Sequence, residues 1–187
     1  MWRRIGPLVA GLLVGVGAGA AVIFGFFRPS EPPKFSDASE DPSINAGLAV
    51  GAQAPNFELV ALSGDIISLE DLRGHSVIIN FWATWCGPCR LEMPTFQDRF
   101  DQYDGELRVV AVNFDETESD VQTFADEMNL TFDVLLDPGA VVQQLYQIRA
   151  YPTSFFVDSE GIIRVQHIGL IVESQLDEYL AELGLNP

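Results

Sequence analysis

The strongest constraint in this sequence is a short run, Val77-Ile78-Ile79-Asn80-Phe81, that leads within five residues to the only two cysteines, Cys86 and Cys89. A nearly continuous β-branched and aromatic run reads as a strand buried on both faces, because a strand with one wet face alternates apolar and polar positions. Beyond the cysteines, Leu91, Met93, Phe96 and Phe100 recur at roughly helical spacing with charges between them. That spacing predicts a helix over 88–103, bent at Pro94. A strand covered on both faces needs a layer on each side, so this segment implies an α/β architecture with the cysteines at a strand-to-helix turn.

The flanking pattern extends the expectation. Residues 57–60 and 66–68 read as a hairpin around Ser63-Gly64-Asp65, followed by a helical turn over 69–72 that ends at Gly74. Strands are expected over 107–114 and 132–135, and helices over 119–128 and 140–146. Residues 153–157 and 162–167 pair across Asp158-Ser159-Glu160-Gly161, and 174–183 is a closing amphipathic helix. The order predicts a mixed central sheet flanked by helices on both faces, in one domain over 48–187, with an extra N-terminal β-hairpin.

Two cysteines in a Cys-x-x-Cys spacing at a helix start have a definite chemistry. Unpaired N–H groups and the helix dipole stabilise a thiolate at the first sulfur, and the thiolate is the nucleophile in thiol-disulfide exchange. Cys86 is therefore the expected attacking residue. Cys89, one turn on and deeper, is placed to resolve the mixed disulfide. A closed zinc site would need two further ligands, and neither His75 nor His167 has metal-ligand spacing to the cysteines. Each histidine reads instead as a surface or strand residue. A purely structural bridge over so short a loop would constrain little of the unfolded chain. No metal and no bound cofactor is expected; the redox-active Cys86–Cys89 pair is itself the reactive group.

With 27 acidic against 10 basic residues, a net charge of −17, nucleic acid is excluded as an expected partner. The first 47 residues contribute nothing to that excess, since Arg3, Arg4, Arg28 and Lys34 cancel Glu31, Asp37, Glu40 and Asp41. Within them, the 23 residues from Ile5 to Phe27 carry no charge and as a helix would span ~35 Å, enough to cross a bilayer. Arg3 and Arg4 before the run put the N-terminus in the cytoplasm and the domain outside, so residues 1–27 are expected to be an uncleaved signal-anchor. A cleaved signal peptide ending near Ala18-Gly19-Ala20 is the competing reading, and the apolar run through Phe27 counts against it. Residues 28–47, with Pro29, Pro32, Pro33 and Pro42 among serines and acids, read as a disordered linker reaching about 25 Å.

The segment Phe81-Trp82-Ala83-Thr84-Trp85-Cys86-Gly87-Pro88-Cys89-Arg90 resembles the active site of the thioredoxin-like superfamily, and Ala150-Tyr151-Pro152-Thr153 resembles its cis-proline loop. The resemblance implies the thioredoxin-like fold, with Pro152 beside the sulfurs, and Trp85, Tyr151 and Pro152 binding the substrate, Tyr151 through main-chain hydrogen bonds. Asn80 departs from thioredoxin, which has a buried, titratable Asp on this strand. Together with the anchor, the hairpin and Arg90-Leu91-Glu92-Met93-Pro94, this makes the chain most similar to the membrane-anchored TlpA/ResA branch. The resemblance implies that Glu92, on the face of the helix that carries Cys89, handles the proton of the second cysteine. The implied activity is a protein-disulfide reductase outside the cytoplasm, acting on disulfide-containing proteins such as apocytochrome c and recharged by a membrane thiol carrier.

Other functions fit less well. A peroxidase of the peroxiredoxin type would need Pro at Ile79 and Thr at Ala83. A Sco-type copper chaperone or redox sensor uses a longer cysteine spacing with a distal histidine, for which only His167 is at hand. A general extracytoplasmic disulfide oxidase or isomerase shares the motif but differs in potential. Gly87-Pro88 is the dipeptide of thioredoxin, which lies near about −270 mV against about −120 mV for strong oxidants, so a reductant is expected.

Overall fold

The computed structural model describes residues 48–186. The expected anchor over 1–27 and linker over 28–47 lie outside the described residues, among which no helix is long and apolar enough to cross a membrane. In chain order the elements are β1 (Glu58–Ala61), β2 (Ile66–Ser68), a 3-10 turn (Glu70–Leu72), β3 (Ser76–Trp82), α1 (Gly87–Gln102), β4 (Leu107–Phe114), α2 (Glu118–Met128), β5 (Asp133–Asp137), α3 (Val141–Leu145), β6 (Thr153–Val157), β7 (Ile163–Ile168) and α4 (Glu173–Glu182).

The strands form one mixed sheet in the order β2-β1-β5-β4-β3-β6-β7. β3, β4 and β5 run parallel, as helical crossovers require, and the remaining neighbours pair antiparallel. All seven residues of β3 are buried, as expected of a strand covered on both sides. Successive side chains alternate faces. Ile78, Trp82, Val109, Ala111 and Phe156 meet Met93 and Phe96 of α1, Phe124 of α2 and Leu176 of α4. Val77, Ile79, Phe81, Val110, Val112 and Phe155 meet Val142 and Tyr146 and the chain around Phe57 and Leu72. Asn80 has the parity of Ile78 and Trp82, so this alternation aims its amide at α1.

Two features extend the expected fold. The N-terminal hairpin does not stand apart: β1 joins β5, with Val60 opposite Leu136 and Ala61 opposite Leu135. Residues 51–54, to which the sequence assigned no element, lie along the start of β7. Gly51 N–H donates to Ile163 O at 2.8 Å, Ile163 N–H to Ala52 O at 2.9 Å, and Ala54 N–H to Gly161 O at 2.9 Å. Gly161 closes the β6–β7 turn at φ +82°, with the Arg73 guanidinium lying where a Cβ would stand.

Candidate active site

The buried β3 ends at Trp82, and the chain turns through Ala83-Thr84-Trp85 into α1. Cys86 caps that helix in extended conformation, its sulfur accepting from Cys89 N–H at 3.2 Å. Pro88 sits in the first turn of α1, where its missing N–H costs no helical hydrogen bond. Cys86 and Cys89 form a disulfide across a Cα–Cα distance of 5.3 Å. Cys86 is 5 % exposed and Cys89 0 %, so of the two residues only the first has any surface left to a partner.

Trp85 is 65 % exposed and meets Tyr151 edge to face, ring centroids 5.7 Å apart. The Tyr151–Pro152 peptide is cis. Tyr151 also packs on Phe114, and its hydroxyl donates to Gln143 Oε1. Burial, with the charge of Asp137 added, pushes that hydroxyl up to about 12. Asp137, at the end of β5, accepts from Gln143 N–H at 2.9 Å and Val142 N–H at 3.1 Å and so fixes the start of α3, to which the Tyr151–Gln143 bond ties the cis-proline loop.

Glu92, on the turn of α1 after Cys89, has no exposed surface. Its Oε1 accepts from Asn80 Nδ2 at 2.8 Å and its Oε2 from Ile171 N–H at 3.0 Å, while Asn80 Nδ2 also donates to Ser154 Oγ at 2.9 Å. Among the described residues no cation pairs with this carboxylate. Burial lifts its pKa from 4.5 to about 7, and the hydrogen bonds from Ile171 and Asn80 pull against that rise. A carboxyl group so poised exchanges protons near neutrality.

The structure thus brings Trp85, Cys86, Cys89, Glu92, Tyr151 and Pro152 to one end of the sheet. His75 lies at the opposite end of β3, and His167 is engaged by the Tyr179 hydroxyl at 3.0 Å and Leu170 O at 3.3 Å. Two participants escaped sequence reasoning. Glu116, just past β4, accepts from Thr84 N–H at 2.7 Å, Thr84 Oγ at 2.5 Å and Asn113 Nδ2 at 2.7 Å, bracing the turn that carries Trp85 and Cys86. Its signal was position alone: it follows the carboxyl end of the strand next to β3, where sites of open α/β sheets gather. The other participant, Ile171, acts through its backbone N–H, which has no signature in sequence.

The chain is similar to several known proteins. Residues 50–166 match the AhpC/TSA family. The chain is 41% identical over 137 residues to thioredoxin-like protein YneN of Bacillus subtilis, covering 72% of this chain and 80% of that one. It is 36% identical over 137 residues to thiol-disulfide oxidoreductase ResA of Bacillus cereus, covering 73% and 79%. A Chlorobium tepidum structure assigned as a thiol:disulfide interchange protein DsbE superposes with a TM-score of 0.68 at 35% identity, over 73% of this chain and 99% of that one. StoA of Bacillus subtilis superposes at 0.60 with 31% identity, over 67% and 96%.

Proposed function

The chain belongs to the AhpC/TSA family of thioredoxin-like proteins, and from that premise we propose that it is an extracytoplasmic, membrane-tethered reductant of protein disulfides. It is a thiol-disulfide oxidoreductase of the ResA/DsbE type. The observation that carries the exchange chemistry is the placement of Glu92, a buried carboxylate one helical turn beyond the second sulfur and without a cation partner among the described residues; the location rests on residues 1–27 and the direction on Gly87-Pro88.

In the proposed cycle the reduced Cys86 thiolate, stabilised at the N-terminus of α1, attacks one sulfur of a substrate disulfide. A mixed disulfide forms and the first substrate thiolate leaves. Glu92 takes the proton of Cys89, whose thiolate attacks Cys86 Sγ. The second substrate thiolate departs, the Cys86–Cys89 disulfide forms, and two electrons have passed to the substrate. Trp85 and Tyr151 with cis Pro152 form the platform on which an extended, cysteine-bearing segment would lie. A segment of apocytochrome c is the substrate proposed from the family resemblance, and a membrane thiol carrier would return the electrons. The residues involve no metal and no bound cofactor in this cycle. Residues 1–27 would hold the domain at the outer face of the membrane.

Equilibration of the full chain with a dithiol redox buffer tests the direction. The Cys86/Cys89 couple is expected near the reducing end of the scale, about −270 mV, and a value near about −120 mV would overturn the reading.

A further inference from the structure

The segment between β7 and α4 ties together two parts of the site. Gly169 N–H donates to Pro152 O at 2.8 Å, so the segment holds the cis-proline loop. Two residues on, Ile171 N–H donates to Glu92 Oε2 at 3.0 Å, with the Ile171 side chain buried in the core. Gly169, at the first tie, sits at φ +106° with nothing within 4 Å of where a Cβ would stand, and Leu170 alone lies between the ties.

His167 adds a hold on Leu170, the residue between them. Its Nε2 lies 3.3 Å from Leu170 O and its Nδ1 lies 3.0 Å from the Tyr179 hydroxyl of α4. One neutral tautomer satisfies both contacts, with Nε2–H donating to Leu170 O and Nδ1 accepting from Tyr179. Tyr179 is itself anchored on Phe156 of β6, ring centroids 5.0 Å apart. We propose that His167 is a positioning residue for the exchange reaction: by holding Leu170 O it fixes where Ile171 N–H meets Glu92, and so how well the ionised carboxylate is stabilised.

Glu92 is sensitive to such a clamp because it has few supports. It is faced by Asn80 from β3, with Ser154 of β6 behind that amide, by Ile171 N–H, and by Cys89 one turn earlier on its own helix. Losing one of two donors disfavours the charged form. The consequence for turnover rests on the proton-acceptor role proposed for Glu92, but the ionisation of Glu92 can be read without it.

The test is a carbon NMR titration of the Glu92 carboxyl in the full-length disulfide form in detergent micelles. His167→Phe, which keeps a ring but removes the donor, is expected to raise the midpoint by about one unit. His167→Gln, uncharged but with a donor at Nε2, is expected to titrate as the wild type does. An unchanged midpoint in His167→Phe, or an equal rise in both variants, overturns the proposal. If His167→Phe does not fold, Tyr179→Phe, which frees the imidazole, is expected to shift the midpoint the same way, and no shift there is equally decisive against it. The pH profile of mixed-disulfide resolution, measured alongside, separates the two claims. Its moving with the Glu92 midpoint supports both, whereas a moved midpoint with a fixed rate profile supports the clamp and removes Glu92 as proton acceptor.

Discussion

Glu92 sets the terms at the residue scale, because a carboxyl group without solvent is stable only when protonated or well supplied with donors. The folded chain holds its proton up to about pH 7, whereas the ordinary value is 4.5. Between those values the native state binds more protons than the unfolded one, so the Glu92 contribution to stability declines as pH rises through the window and is level above it. The decline amounts to about 3 kcal/mol. Urea denaturation from pH 4 to 8 should show Glu92→Gln lacking that decline relative to the wild type; equal slopes would mean the carboxyl is not perturbed. Asn80 and Glu92 were both visible in the sequence, one as a departure from the thioredoxin pattern and the other as a residue on the helical face of Cys89. Their hydrogen bond was not, because it joins residues on different elements at a distance only packing fixes.

Elements meet at the site through short braces, and these are where changes remote from sulfur should be felt. Glu116 joins the turn before α1 to the loop after β4. Glu116→Ala leaves Thr84 N–H and Asn113 Nδ2 without their acceptor, at a cost of ~1–3 kcal/mol in denaturant titrations. It should also slow reduction of a peptide disulfide, since Trp85 and Cys86 ride on that turn; an unaltered rate would confine Glu116 to stability. At the other end of the sheet, Gly161→Ala would place a Cβ 0.7 Å from Arg73 Nη1 at φ +82°. The guanidinium can swing away, so the expected loss is the left-handed backbone cost of ~1–2 kcal/mol, checked by the same titration. Among the described residues, periodicity and turn signals located the strands and helices to within one or two residues. It gave no sign of residues 51–54 pairing along β7, because that pairing rests on backbone groups rather than on an apolar pattern.

For the whole molecule, charge governs encounter. Arg90, Arg99, Arg108 and Arg164 are all paired to carboxylates, and the net charge of −17 leaves a large anionic excess. Stopped-flow reduction of a cationic disulfide peptide should outpace that of its anionic counterpart by ~10-fold at low salt, the gap closing as salt rises. A salt-independent ratio would show that the field does not steer substrates. The sequence by itself determined the layer order of the domain, the cysteine pair at a strand-to-helix turn and the acidic surface, because apolar period, turn residues and charge are local properties of the chain. Only the tertiary structure decided that Glu92 is dry, that Ile171 N–H reaches it, that Glu116 braces Thr84 and that His167 stands behind the segment linking Pro152 to Glu92. Each of those depends on burial and distance between residues far apart in sequence, quantities that exist only once the sheet and its helices have packed.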